Sequence, residues 1–374
     1  MARTSTVSVL PPRSRSGRTP TPQVAVLLNA NARAVNPRVV RAISEVVPSR
    51  DLFLSHTFGE ARQIASEVIG RGYDTVLTGG GDGTFVGFYN AMQEVRGCGA
   101  ATTRGPGGAL VALQAAPMPR MGALRLGTGN AIAGYTGAGT LRGAGVQSDI
   151  LRARAGRLEA TRRMDLVQVE GTYAPFSGVG LDALILNNYI RWKKILGMGP
   201  LKFLGEGLLG YLLSVGALSV PEALLRSMPE LEIVNTGDDA IPVNTRGEQI
   251  GAPVPHGAVI YRGPARIASV GTCPYYGLDF KIFPAADCMP GRMQLRVADI
   301  SVPSALWNLP AIWRGIYNAP TVRDYMVTSV SIRSDAKMPF QIGGDAQGWR
   351  DSVEFGVADQ PAELLDFSRP QLTA

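Results

Sequence analysis

The stretch Val76-Leu77-Thr78-Gly79-Gly80-Gly81-Asp82-Gly83-Thr84 constrains the fold of this 374-residue chain more than any other. An apolar, β-branched lead-in from Asp74 to Leu77 runs into three glycines. Phe85-Val86-Gly87-Phe88-Tyr89-Asn90-Ala91-Met92 then repeats apolar residues at helical spacing. That order reads as strand, glycine turn, helix. With no Cβ in the way, phosphate oxygens can approach such a backbone, and the helix N-terminus offers them free N–H donors. An acid inside a phosphate cradle repels its ligand unless a cation stands between them, so Asp82 points to Mg2+. The other reading is a plain glycine turn with Asp82 as helix cap.

A second turn repeats the design. Gly122 to Leu126 is a short apolar strand entering Gly127-Thr128-Gly129-Asn130, and Ala131-Ile132-Ala133 follows as a helix. Two such turns can line one crevice at the carboxyl ends of parallel strands. Neither fits the phosphate-loop or dinucleotide glycine patterns. From Gln23 to Asn130, strands (24–28, 52–55, 75–77) alternate with helices (37–47, 60–70, 85–94), which implies a parallel sheet with crossover helices. After Asp149 the chain turns to short strands, expected at 150–155, 157–163, 166–169, 231–234, 259–261, 280–283, 293–297 and 327–332, with Pro and Gly between. That spacing reads as a mostly antiparallel β-sandwich. The expected organisation is a disordered basic tail (1–22), a Rossmann-like, three-layer α/β nucleotide-binding domain (23–148) and a β-sandwich substrate domain (149–366).

A net charge of +7 superficially invites nucleic acid, but the tail holds Arg3, Arg13, Arg15 and Arg18 and no acid. Without it the balance is an ordinary +3, so no nucleic-acid partner is expected. The tail is rich in Ser, Thr, Pro and Arg and lacks the apolar core of a signal peptide. Cys98, Cys273 and Cys288 are widely spaced and read as buried packing residues in a reducing cytoplasm. With only His56 and His256, no zinc set or His-based triad can be assembled. Leu201 to Val220 is apolar, yet Lys202 and Glu206 leave an uncharged run too short for a membrane span of about twenty residues. It reads as a buried helix or a cover for acyl chains. The cluster Arg152, Arg154, Arg157, Arg162 and Arg163 reads as a solvated face, with lipid attraction as the alternative.

Gly80-Gly81-Asp82-Gly83-Thr84 followed by Leu126-Gly127-Thr128-Gly129-Asn130 resembles the diacylglycerol kinase catalytic-domain family, which includes bacterial lipid kinases, sphingosine kinases and ceramide kinases. Other pieces fall in the family's order: Val26-Leu27-Leu28-Asn29, Thr57-Phe58-Gly59-Glu60-Ala61, Ser177-Gly178-Val179-Gly180-Leu181-Asp182-Ala183, Pro274-Tyr275-Tyr276-Gly277 and Phe340-Gln341-Ile342-Gly343-Gly344-Asp345. The resemblance implies a Mg2+- and ATP-dependent lipid kinase acting on a diacylglycerol-like or sphingoid lipid at the inner, cytoplasmic face of a membrane. A homodimer is left open. It implies a nucleotide site of Asn29, Thr57, Gly80, Gly81, Gly83, Thr84, Gly127, Thr128, Gly129 and Asn130. Arg191 and Lys194, from the basic stretch Arg191-Trp192-Lys193-Lys194, would reach the phosphates. Asp82 would hold the metal through water or orient the acceptor hydroxyl, Asp345 would take its proton, and Asp165 and Asp182 would lie on the substrate side. Three departures stand out. The first strand lacks the family's Asn-Pro, and Met289-Pro290-Gly291 lacks the paired acids of a structural-metal turn. Gly343-Gly344-Asp345 replaces Asp-Gly-Glu, which shortens the basic arm by roughly 1.5 Å. Misplacement on that scale costs on the order of a hundredfold in rate. An NAD kinase-like enzyme shares the first turn, but Asn90-Ala91 stands where Asn-Glu would follow. A non-catalytic lipid- or nucleotide-binding relative is the other alternative.

Overall fold

The computed structural model describes residues 22–98, 102–104, 110–112, 117–158, 160–184, 188, 221, 228–277 and 279–368. The tail and the apolar run Leu201 to Val220 lie outside them, apart from Pro22. In chain order the first elements are β1 (Val24–Asn29), α1 (Pro37–Ser44), β2 (Leu52–Ser55), α2 (Phe58–Arg71), β3 (Thr75–Gly80) and α3 (Asp82–Cys98). Then come β4 (Thr102–Arg104), β5 (Leu110–Ala112), β6 (Arg120–Arg125), α4 (Ala131–Tyr135), α5 (Gly145–Arg154) and β7 (Thr161–Met164). β1 and β3 are near-continuous buried runs, as strands covered on both faces must be. Asn36 caps α1 by accepting from the N–H groups of Arg38 and Val39, with Pro37 pre-set in the first turn. Thr57 caps α2, which ends on Gly72 in the left-handed region.

The second unit contains β8 (Val167–Val169), β9 (Thr172–Ala174), β10 (Phe176–Gly180), β11 (Glu230–Asn235), β12 (Ile241–Val243), β13 (Val259–Pro264), β14 (Ile267–Gly271) and β15 (Met293–Ala298). Two short helices follow, α6 (Val302–Trp307) and α7 (Leu309–Trp313). β16 (Val322–Val327), β17 (Ser329–Ile342), β18 (Asp345–Val357) and β19 (Ala362–Leu365) complete it. An antiparallel sheet runs β12-β16-β15-β14-β10-β17-β18-β8-β9, with β11 joining β13 to β17. β17 pairs with β18 on one edge; on the other, Val330 to Ser334 pair with β11 and Phe340 to Ile342 with β10. Register shifts flank Pro339, where the strand passes from one neighbour to the other. The sheet encloses a core that includes Leu295, Val297, Ile332, Phe340 and Phe355.

The fold class is as expected: an α/β unit with a mostly parallel sheet, then an antiparallel one. Several element assignments need correction. The strand expected at 150–155 is helix α5, because Val146, Ile150 and Ala153 recur at helical spacing and pack into the α/β core. The division expected at 148/149 therefore falls inside a helix. The first sheet runs β2-β1-β3-β6-β19-β7, so two of its strands come from beyond that point. β19 lies parallel to β6 and antiparallel to β7. No strand forms at 280–283, where the chain turns as Tyr276 N–H donates to Phe280 O, Phe280 N–H to Gly277 O and Phe283 N–H to Pro274 O. The run 327–332 spans the break between β16 and β17.

The two units meet along α3. Asn90 Nδ2 donates to Tyr173 O at 2.7 Å while Tyr173 N–H donates to Asn90 Oδ1 at 2.8 Å, tying α3 to the free edge of β9.

Candidate functional site

β3 and β6 are parallel neighbours with Gly80 opposite Arg125, so both glycine loops leave the sheet at the same edge. They touch through backbone: a Cβ on Gly127 would stand 2.2 Å from Gly81 Cα and 2.8 Å from Gly80 O. Only glycine fits there. Asn130, at φ +52°, folds its own loop shut, its Oδ1 accepting from Gly127 N–H and its Nδ2 donating to Gly127 O, both at 2.9 Å. Asp82 opens α3 but caps the other helix. Its two carboxylate oxygens accept from Ala131 N–H and Ile132 N–H of α4, each at 3.0 Å. Burial pushes the Asp82 carboxyl above the usual range, and those N–H groups pull it back. Asn29, at the end of β1, donates to Thr84 Oγ1 at 2.9 Å and fixes the first turn of α3.

The second unit approaches both glycine loops. Gly343 and Gly344, at φ +58° and +88°, form the two-residue turn between β17 and β18, with Ile342 paired to Asp345. Positive φ at both central residues is the hairpin turn whose twist suits paired strands. Asp345 is thereby delivered to the N-terminus of α3, its Oδ2 3.7 Å from where a Gly83 Cβ would be. No described residue donates to its carboxylate, and partial desolvation pushes its carboxyl upward. Beneath it lies a buried network. Asp182 Oδ2 accepts from Tyr276 OH at 2.6 Å, Ser269 Oγ at 2.9 Å and Gln341 Nε2 at 3.4 Å. Gln341 Nε2 also donates to Tyr276 OH, and its Oε1 accepts from Gly344 N–H, each at 2.9 Å. Gly277, next to Tyr276, packs against Gly129: a Cβ on it would be 3.1 Å from Gly129 Cα. The network thus holds the Asp345 turn and the second glycine loop together.

Comparison with known proteins agrees with this geometry. The family described as Diacylglycerol kinase catalytic domain matches residues 23–169. That match takes in both glycine loops and covers residues 23–169 of 374. A candidate diacylglycerol kinase from Bacillus anthracis str. Sterne aligns at 16% identity and TM-score 0.57, covering 94% of this chain and 99% of that one. A diacylglycerol kinase from the same organism aligns at 14% identity and TM-score 0.55, covering 94% and 99%. At such identity the likeness concerns the fold. No curated protein matches the chain.

The residues expected from the sequence divide. Asn29, Gly80, Gly81, Asp82, Gly83, Thr84, Gly127, Gly129, Asn130 and Asp345 are brought together around the two glycine loops, and Thr128 stands within the second loop. Thr57 serves as the α2 cap, accepting from Glu60 N–H at 3.2 Å. Asp182 is buried and reaches the Asp345 turn through Gln341. Asp165 is tied elsewhere: its Oδ2 accepts from Gly291 N–H at 2.6 Å, bracing the Met289–Gly291 turn. Arg191 and Lys194 lie outside the described residues. Ser269, Tyr276 and Gln341 were not expected as site residues; Tyr276 and Gln341 stand in the family's motifs, whereas nothing in sequence marks Ser269.

The cationic cluster is structural where its contacts are described. Arg152 pairs with Asp149, Arg154 with Asp51 and Arg162 with Asp366, and Arg162 also covers the Tyr135 ring at 4.4 Å. Cys273 is buried, its thiol pushed up to about 12 by desolvation, but Cys288 is exposed, against expectation.

Mg2+ fits the donors present. The described residues hold no cluster of three metal-binding side chains, so no dedicated protein cage exists among them. Each Asp82 oxygen keeps a lone pair beyond its bond to α4. One or two carboxylates plus substrate phosphates are the usual company of Mg2+.

Proposed function

We propose that this protein is a lipid kinase that transfers the γ-phosphoryl group of ATP to a hydroxyl of a diacylglycerol-like or sphingoid lipid. The single observation that carries the reading is the convergence on the two touching glycine loops of two acids: Asp82 bonded to α4, and Asp345 with its Oδ2 3.7 Å from where a Gly83 Cβ would be. Phosphoryl transfer asks little covalent chemistry of a protein; it needs positioning, charge neutralisation and a base.

Gly80, Gly81, Gly83 and Thr84 would form one wall for the triphosphate, with Gly127, Thr128, Gly129 and Asn130 opposite. Asp82 would hold Mg2+ through water, and the ion would supply positive charge to offset that of the phosphates. Asp345 would accept the proton of the lipid hydroxyl as its oxygen bonds the γ-phosphorus and the bond to ADP breaks. Its raised pKa strengthens it as a base. Asp182 would act through Gln341 and Gly344 by holding the Asp345 turn. Arg191 and Lys194 would neutralise the transferring group. The setting would be the cytoplasmic face of a membrane. Among the described residues no helix is long and apolar enough to cross one.

The test is a screen of diacylglycerol, ceramide, sphingosine, phosphatidylglycerol and NAD with radiolabelled ATP and Mg2+, using Asp345→Asn as control. Label in a lipid, lost in the variant, is the expected result. Label in NAD alone, or ATP binding without turnover, overturns it.

A further inference from the structure

The pair of short helices α6 and α7 carries an apolar surface that the catalytic reading does not use. Trp307 is 88% exposed, Ile316 59%, Leu306 50%, Leu309 43% and Trp313 37%. Beside them lies a cavity of about 430 Å3 lined by Arg246, Lys281, Arg314, Ile316, Asn244 and Asn318 among others, with no acid in its wall. None of the three cations is in an ion pair with a described residue. From Ile300 through Arg323 the sequence contains no acid at all. Exposed tryptophans next to unpaired cations suit a surface that is greasy inside and anionic outside. Indole rings settle at the headgroup level, and each cation there is drawn to anionic lipid.

The patch is mechanically continuous with the crevice. Trp313 stacks on Phe280 at 4.9 Å and 19°, and Trp313 O accepts from Lys281 N–H at 2.9 Å. Phe280 in turn meets Tyr276 edge-on at 6.3 Å, and Tyr276 donates to Asp182. Whatever seats α6 and α7 therefore lies two aromatic side chains from the network that holds Asp345.

We propose that α6, α7 and the Arg246–Lys281–Arg314 cavity form a docking surface for an anionic phospholipid bilayer. Trp307 and its apolar neighbours would enter the interface while the cavity takes a lipid phosphate. This deepens the lipid-kinase reading and rests on it only for the purpose of docking, because binding is measured without turnover.

The test is flotation of the full chain with vesicles of phosphatidylcholine alone and of phosphatidylcholine mixed with phosphatidylglycerol. Binding to the mixed vesicles only, weakened by salt, is expected. Arg314→Glu and Trp307→Ala should each lower partition about tenfold. Their thermal melts should match the parent, since both side chains are exposed. Both variants should still phosphorylate a short-chain dispersed lipid. Equal binding by parent and variants overturns the proposal, as does no vesicle binding at all. A dimer that Trp307→Ala dissociates, without vesicle binding, would give the surface to a second copy instead. Binding that behaves as expected in a protein that phosphorylates nothing would sink the kinase reading and leave the surface standing.

Discussion

Asp345 carries the residue-scale argument. It stands one methylene short of the family's usual base, yet the Gly343-Gly344 turn brings its carboxylate to Gly83. Asp345→Asn should lower kcat a hundredfold or more, on the order of what a positioned base contributes, while Asp345→Glu should keep turnover within about tenfold of the parent. A base must be deprotonated, so kcat should fall as pH drops through the raised Asp345 pKa. That acid limb should vanish in the residual activity of Asp345→Asn. A lipid phosphorylation profile with the same limb in both proteins would remove Asp345 from the role. Asp182 makes a separate prediction about stability. Burial holds its folded pKa above the unfolded value. The stability this contributes is full below the unfolded carboxylate pKa and is lost as pH rises through the folded one. Urea titrations across that range should show the loss in the parent and a flatter dependence in Asp182→Asn. Asp82 and Asp149, raised for the same reason, act with the same sign.

At the scale of elements, the two glycine loops behave as one part. The Gly127 approach to Gly81 and the Asp82 carboxylate on α4 are the two fastenings between them. Gly127→Ala should therefore cost about 1–3 kcal/mol, as forced overpacking does, and should weaken nucleotide binding as well. Calorimetry of ATP binding beside a thermal melt checks both; a variant stable as the parent with unchanged affinity would show that the loops are free to part. The Arg296–Asp324 pair makes another case inside the second unit. Arg296 reaches both Asp324 oxygens at 2.8 and 2.7 Å, and Gln294 Nε2 donates to Oδ1 at 2.8 Å, all buried. Asp324→Ala strands the guanidinium and should destabilise by roughly 3–5 kcal/mol, measured by denaturant unfolding.

For the whole molecule, the chain's return matters most. β19 lies between β6 and β7, so the first sheet is completed only when the last strand arrives. A chain ending at Val357 should lose cooperative unfolding of the first unit and expose the β6 amides to hydrogen exchange, and residues 23–169 alone should fare no better. Protected β6 amides in either truncation would contradict that. Local pattern made much of this legible. β2 is found at the apolar stretch 52–55 expected as a strand, and the glycine turns follow from apolar strands meeting glycine and then helical spacing. It misled where local and long-range forces differ: 150–155 reads as a short strand, but burial against the core at helical spacing decides for α5. The sequence by itself determined the two loops, the acids beside them and the class of each half, because these depend on backbone freedom and short-range periodicity. The tertiary structure alone decided that Asp82 caps the opposite helix, that Asp165 braces a distant turn, and that Ser269, Tyr276 and Gln341 converge on Asp182. Those contacts join residues 49 to 159 positions apart, and no spacing rule reports a distance that only the folded sheets can close.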